Sequence, residues 1–206
     1  MVEKVSESKG IEINTVKGIL TILVFIGHIL LGSLNDNIFR YIIYSFHMSL
    51  FFFISGYLLN IQKLMNENLL ILFKKYLNRL IIPWVLAILI YSFIQYGEDI
   101  INNSFLMFYK PYYHLWYVPA FLGYIAFTFF LLKLKINIRT ILISLVPLSL
   151  FLNYIYIRPG INLHFNSALF SIVSYLLRPQ FYFYFILGIF FKKSFKNKIS
   201  IGINVI

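Results

Sequence analysis

Six apolar segments recur along this chain, at about residues 17–34, 38–60, 79–96, 115–132, 138–157 and 168–191, with short basic clusters between them. A helix needs about 20 apolar residues to cross the hydrocarbon core of a bilayer, and each segment comes near that length. The chain is 60% hydrophobic and 20% aromatic, with a mean hydropathy of +0.81, over 206 residues. A soluble domain of this size has too little interior to hide so much apolar surface. The expected fold is therefore an all-α polytopic membrane helix bundle of about six transmembrane helices. Residues 199–206 could open a seventh. Residues 1–15 are polar and alternate in charge, without the apolar core of a cleaved signal peptide, and read as a short N-terminal segment outside the bilayer.

The net charge of +11 does not point to nucleic acid, because the cations lie in clusters between the apolar runs. Of the 18 Lys and Arg residues, 14 fall on the side of the membrane that carries the N-terminus and 4 on the other. By the positive-inside rule the N-terminus is cytoplasmic. The absence of Cys excludes disulfides and thiolate metal sites, and no metal is expected. The seven acidic residues lie outside the middles of the clear spans, which counts against an ion-coupled pump, since such proteins need buried carboxylates.

Ionisable side chains inside spans are costly and usually face the bundle interior. His28 and His47 occupy the first two segments. Lys17 and His28 are eleven residues apart. Eleven steps of ~100° return to within ~20° of the start, and a rise of 1.5 Å per residue separates the two by ~16 Å. Lys17 thus sits at the cytoplasmic mouth and His28 beyond the midplane on the same stripe. A cation at the mouth suits a phosphate-bearing donor. A histidine at depth suits proton removal from an attacking hydroxyl. The competing readings are structural: a lysine that snorkels to the interface, and histidines that hydrogen-bond across the bundle. His47 could share a cavity with His28, the two depths differing by ~6 Å, or could anchor the close-packing Ser55-Gly56 region.

The cluster Lys74, Lys75 and Arg79 shares a membrane face with Lys17 and could join it in holding a polyphosphate. Most such clusters only set topology. At the outer face, His114 and Trp116 could form a sugar-stacking wall or belong to the interfacial aromatic belt. Arg178-Pro179 interrupts the sixth segment and reads as a broken helix.

Five stretches taken in order resemble the acyltransferase-3 family of integral membrane acyltransferases. These are Lys17-Gly18 with His28, the run Phe46-His47-Met48-Ser49-Leu50-Phe51-Phe52-Phe53-Ile54-Ser55-Gly56-Tyr57, Arg79-Leu80-Ile81-Ile82-Pro83-Trp84, His114-Leu115-Trp116-Tyr117-Val118-Pro119-Ala120, and Phe183-Tyr184-Phe185-Ile186-Leu187-Gly188. The Lys at position 17 makes the chain look most like the sugar O-acetylase branch. The resemblance implies transfer of an acyl group, most commonly acetyl from acetyl-CoA, to a hydroxyl of a cell-envelope sugar or polysaccharide. It implies that His28 is the catalytic residue and that Lys17 engages the acyl-CoA donor. With the residue readings above, the expected site is His28 and His47 as catalytic, Lys17, Lys75 and Arg79 as donor-binding, and His114, Trp116 and Arg178 as acceptor-binding. The cell compartment would be the bacterial cytoplasmic membrane, with no bound cofactor and acyl-CoA as substrate. Family members usually have about ten spans, so residues 16–206 form a transmembrane domain incomplete relative to the family. The chain could be a fragment, a truncated gene product, or a member to which a homo-oligomer or a partner chain supplies the missing helices. The alternatives are a non-catalytic component of polysaccharide export, or an inactive remnant of a longer enzyme.

Overall fold

The computed structural model describes residues 2–30, 37–66, 69–97, 111, 113–157 and 176–203. Every regular element among them is helical. In chain order these are α1 (Val2–Ile29), α2 (Ile38–Leu58), α3 (Ile61–Asn66), α4 (Leu69–Tyr76), α5 (Ile82–Tyr96), α6 (Tyr117–Lys133), α7 (Ile138–Ile157) and α8 (Tyr182–Ile203). The all-helical expectation holds. The six-span expectation is met only in part. Among the described residues two stretches, Ile38–Leu58 and Phe73–Tyr96, are long and apolar enough to cross a membrane, whereas Asn14–Ile29, Tyr117–Lys133 and Ile138–Leu148 are apolar but shorter.

Three boundaries differ from the sequence reading. Helix α1 begins at Val2, so the polar N-terminal residues continue the helix of the first segment. The third segment begins before residue 79, passing from α4 through a π-turn at Leu77–Ile81 into α5. Pro83 explains the wide turn: its ring would crowd the carbonyl of Arg79, four residues back, and it offers no N–H to that oxygen. Residues 199–203, read as the opening of a seventh span, instead prolong α8 without a turn. A new span would need a chain reversal after the lysine cluster, and the helix runs straight through it. The break in the sixth segment is present. Arg178 adopts a left-handed conformation (φ 42°, ψ 64°), followed by a 3₁₀ turn at Pro179–Phe181 and then α8. Residues 168–175 of that segment lie outside the described residues.

The bundle is organised around the pairing of α2 with α8. A side chain at Gly56 would overlap the Phe185 backbone carbonyl, and one at Gly188 would overlap that of Phe53. Two glycines facing each other's backbones let the helices cross at van der Waals contact, the main source of helix association when no water is available to drive it. The Lys192 ammonium donates to the carbonyls of Leu58 and Leu59 at 3.3 and 3.0 Å. It thereby caps the C-terminal end of α2, where the dipole favours a cation.

Helix α6 closes on this pair through aromatic packing. Phe52 is fully buried, with ring centroids of Tyr117 and Tyr124 at 4.9 Å, Phe181 at 5.7 Å and Trp116 at 5.8 Å. Polar pairs fix the register. Ser55 Oγ and Tyr117 Oη are 2.6 Å apart, Thr128 Oγ1 and Tyr182 Oη are 3.0 Å apart, and Tyr124 Oη lies 2.9 and 2.6 Å from the Leu177 and Arg178 carbonyls. Helix α1 packs against α2 and leaves Ile22, Phe25 and Ile29 exposed on its far side, as α5 does Ile90, Phe93 and Ile94.

Candidate active site

The stripe anticipated on α1 exists. Lys17, Thr21, Val24 and His28 follow one another at spacings of four, three and four, and all four line cavities that α2 also borders. Three cavities succeed one another along it. The inner one, nearest Lys17 and about 500 Å³, is lined by Lys17, Lys63 and Lys75 together with Tyr117 and Phe121. A narrower middle cavity of about 150 Å³ shares Thr21, Phe51 and Tyr117 with it. The third, about 270 Å³, meets the middle one at Met48 and is lined by His28, Tyr44, His47, Trp116, Arg178 and Phe181.

The third cavity brings together residues that are far apart in the chain. His47 is buried, and its Nδ1 donates to the Ile43 carbonyl at 2.6 Å. A carbonyl only accepts, so Nδ1 carries the proton and Nε2 the lone pair. Tyr44 stands between the two histidines. Its hydroxyl is 3.5 Å from His28 Nδ1, and its ring meets those of His28 and His47 edge-on, at centroid distances of 6.1 and 5.1 Å. Gly27 makes room for that ring: a Cβ there would lie 3.0 Å from Tyr44 Cε2. The Arg40 guanidinium packs on the Tyr44 ring at 5.4 Å.

The opposite wall is Trp116 with Arg178. The Arg178 guanidinium sits 4.3 Å from the centre of the Trp116 ring, and Phe181 stacks on the same indole at 5.5 Å. Such a cation–π contact is worth about 0.5–2 kcal/mol, more as water is excluded. Trp116 is only 3% exposed, so it is a core residue and not part of an interfacial belt. Its depth follows from the anchoring of the entry to α6, where Trp84 Nε1 donates to the Leu115 carbonyl at 2.7 Å.

Of the residues singled out from sequence, the structure groups His28, His47, Trp116 and Arg178 around one cavity, and Lys17 and Lys75 around another. Arg79 lies in the π-turn, exposed, and does not line the inner cavity. The His114 side chain lies outside the described residues. Tyr44 and Phe181 were missed. Tyr44 precedes His47 by three residues, so helical spacing alone places both on one face. Phe181 carried no comparable signal.

A family model described as an acyltransferase domain matches residues 11–204. No curated protein and no solved structure matches the chain. The matched span takes in Lys17, His28, His47, Trp116 and Arg178 together with the glycines of the α2–α8 crossing, and on that ground the chain belongs to the acyltransferase 3 family of membrane acyltransferases.

Proposed function

We propose that the chain transfers an acyl group, acetyl as the first choice, from cytoplasmic acyl-CoA to a hydroxyl of an envelope sugar across a six-span bundle with a cytoplasmic N-terminus. The observation that carries this reading is the run of three adjoining cavities, from Lys17 and Lys75 past Tyr117 to His28. Lys17 and His28 are eleven residues apart on one helix, a rise of ~16 Å, and the pantetheine arm of CoA is a chain of comparable reach. The donor phosphates would rest on the ammonium groups of the inner mouth. The arm would follow Thr21, Phe51 and Met48, and the thioester would enter the third cavity. The exposed apolar faces of α1 and α5 fit contact with lipid tails, where they cost nothing.

In the third cavity the roles follow from the donor and acceptor chemistry. If His28 points Nδ1–H at the Tyr44 oxygen, its Nε2 is left as the base. Nε2 takes the proton of the acceptor hydroxyl as that oxygen attacks the thioester carbonyl. The tetrahedral intermediate then expels the CoA thiolate, and the imidazolium returns the proton to the sulfur. The products are an ester and free CoA thiol. Trp116 is covered by Arg178 and Phe181 and serves to hold the guanidinium in the cavity, where Arg178 offers donors for the sugar hydroxyls.

The test compares alkali-releasable O-acetyl on envelope glycans of cells lacking the chain, complemented with wild type or with His28→Ala. Removing a general base costs about 10²–10⁴ in rate, so His28→Ala is expected to reach the membrane in normal amount and restore no acetylation. Restoration by His28→Ala would refute the role of that residue.

A further inference from the structure

A further cavity among the described residues is not part of this track. It holds about 550 Å³ and lies between the α2–α3 turn, the α6–α7 turn and α8. It shares only Leu59 and Asn60 with the inner cavity. Three ammonium groups border it: Lys135 from the α6–α7 turn, and Lys192 and Lys193 from α8. The side-chain amides of Asn60, Gln62 and Asn137 complete its polar rim, while Leu132, Ile138 and Ile189 make its floor apolar. Among the described residues no carboxylate and no aromatic ring lines it.

Its construction is specific. After α6 the chain turns through a Schellman closure: the Lys135 N–H donates to the Leu132 carbonyl at 3.0 Å and the Ile136 N–H to the Leu131 carbonyl at 3.1 Å. Lys135 occupies the left-handed position of that closure (φ 61°), where glycine is the strain-free residue. Lys192 is held in place by the carbonyls at the end of α2.

We infer that this cleft binds the phosphodiester headgroup of an anionic membrane lipid at the basic end of the bundle. Basic pockets between helices on that side of a membrane are suited to such headgroups. A volume of about 550 Å³ is within the usual range for a small-molecule site. The lysines meet the phosphate, the amides meet the glycerol oxygens, and the apolar floor receives the first methylenes of an acyl chain. A nucleotide fits the lining less well, because no ring is there for a purine to stack on. Occupancy would tie three chain segments together beside the α2–α8 pair. The inference rests on the membrane reading and not on the transfer chemistry.

The experiment is thermal unfolding of the purified full chain in a neutral detergent, titrated with short-chain phosphatidylglycerol or phosphatidylcholine. Phosphatidylglycerol is expected to raise Tm saturably and phosphatidylcholine to leave it unchanged. In the Lys135→Gln/Lys193→Gln pair the half-saturating phosphatidylglycerol concentration should rise about fivefold per lysine, about 25-fold together. Lys135→Gly/Lys193→Gln should behave alike, with the left-handed turn kept free of strain. Lys133→Gln/Arg139→Gln removes equal charge outside the cleft and should titrate as wild type. Equal stabilisation by the two lipids would overturn the inference, as would equal weakening in the off-cleft pair. Loss of the phosphatidylglycerol effect on adding CoA would overturn it too, assigning the cleft to the donor nucleotide. None of these outcomes bears on His28.

Discussion

Replacing Gly188 by alanine adds one carbon, and the structure says where that carbon must go. The new Cβ would overlap the Phe53 carbonyl and lie 2.8 Å from the Tyr57 nitrogen and 2.9 Å from the Phe53 carbonyl carbon. All of these are backbone atoms of α2, so no side chain can swing aside. Ordinary Cβ contacts begin near 3.4 Å, so α2 and α8 must part by at least ~0.6 Å at this point, and by more to clear the carbonyl. Overpacking of this kind costs about 1–3 kcal/mol. Gly56→Ala meets the Phe185 backbone in the same way, and because the two sites share one crossing their costs should not add. Gly18 provides the control. A Cβ there meets nothing within 4 Å, and alanine is favoured over glycine in a helix by about 0.5–1 kcal/mol. Gly18→Ala should therefore stabilise, while Gly188→Ala and Gly56→Ala destabilise. The assay is the unfolding midpoint in a neutral detergent, with transferase rate measured on the same samples. Separation of α2 from α8 also moves Phe181 away from Met48 and His47, so rate should fall with stability. A Gly188→Ala protein as stable as wild type would refute the close crossing and the argument built on it.

Tyr44→Phe keeps the ring between the two histidines and removes the hydroxyl beside His28. Loss of a hydrogen bond of about 0.5–1.5 kcal/mol should lower kcat about three- to tenfold with KM for the donor unchanged. A rate equal to wild type would remove Tyr44 from the orientation of His28. Lys17→Gln and Lys75→Gln should each raise KM for acyl-CoA by up to about fivefold, the limit for a solvent-exposed ion pair, and leave kcat in place. A fall in kcat at unchanged KM would place these lysines elsewhere in the reaction.

What could be read without coordinates was whatever a local period or a local steric rule controls. The stripe from Lys17 to His28 is helical spacing and nothing more, and the structure reproduces it as one wall of three cavities. The break at Arg178-Pro179 follows from the restrictions proline imposes on itself and its predecessor. The stretch from Ser55 to Gly56 signals close packing because small residues let backbones approach. Boundaries were less legible. The N-terminal residues and residues 199–203 are polar or follow a charged cluster, yet they simply extend neighbouring helices, since backbone hydrogen bonding does not stop where hydropathy does.

Apolar length alone determined that this chain would be a bundle of helices, because hydrocarbon admits only self-satisfied backbone. Which remote residues meet was left to the tertiary structure. The Gly56–Gly188 crossing sets α2 beside α8, and that pairing carries Phe181 and the αL-held Arg178 onto Trp116, opposite His28. No local pattern encodes that meeting: it depends on how two particular helix surfaces fit, atom against atom, across more than a hundred residues of chain.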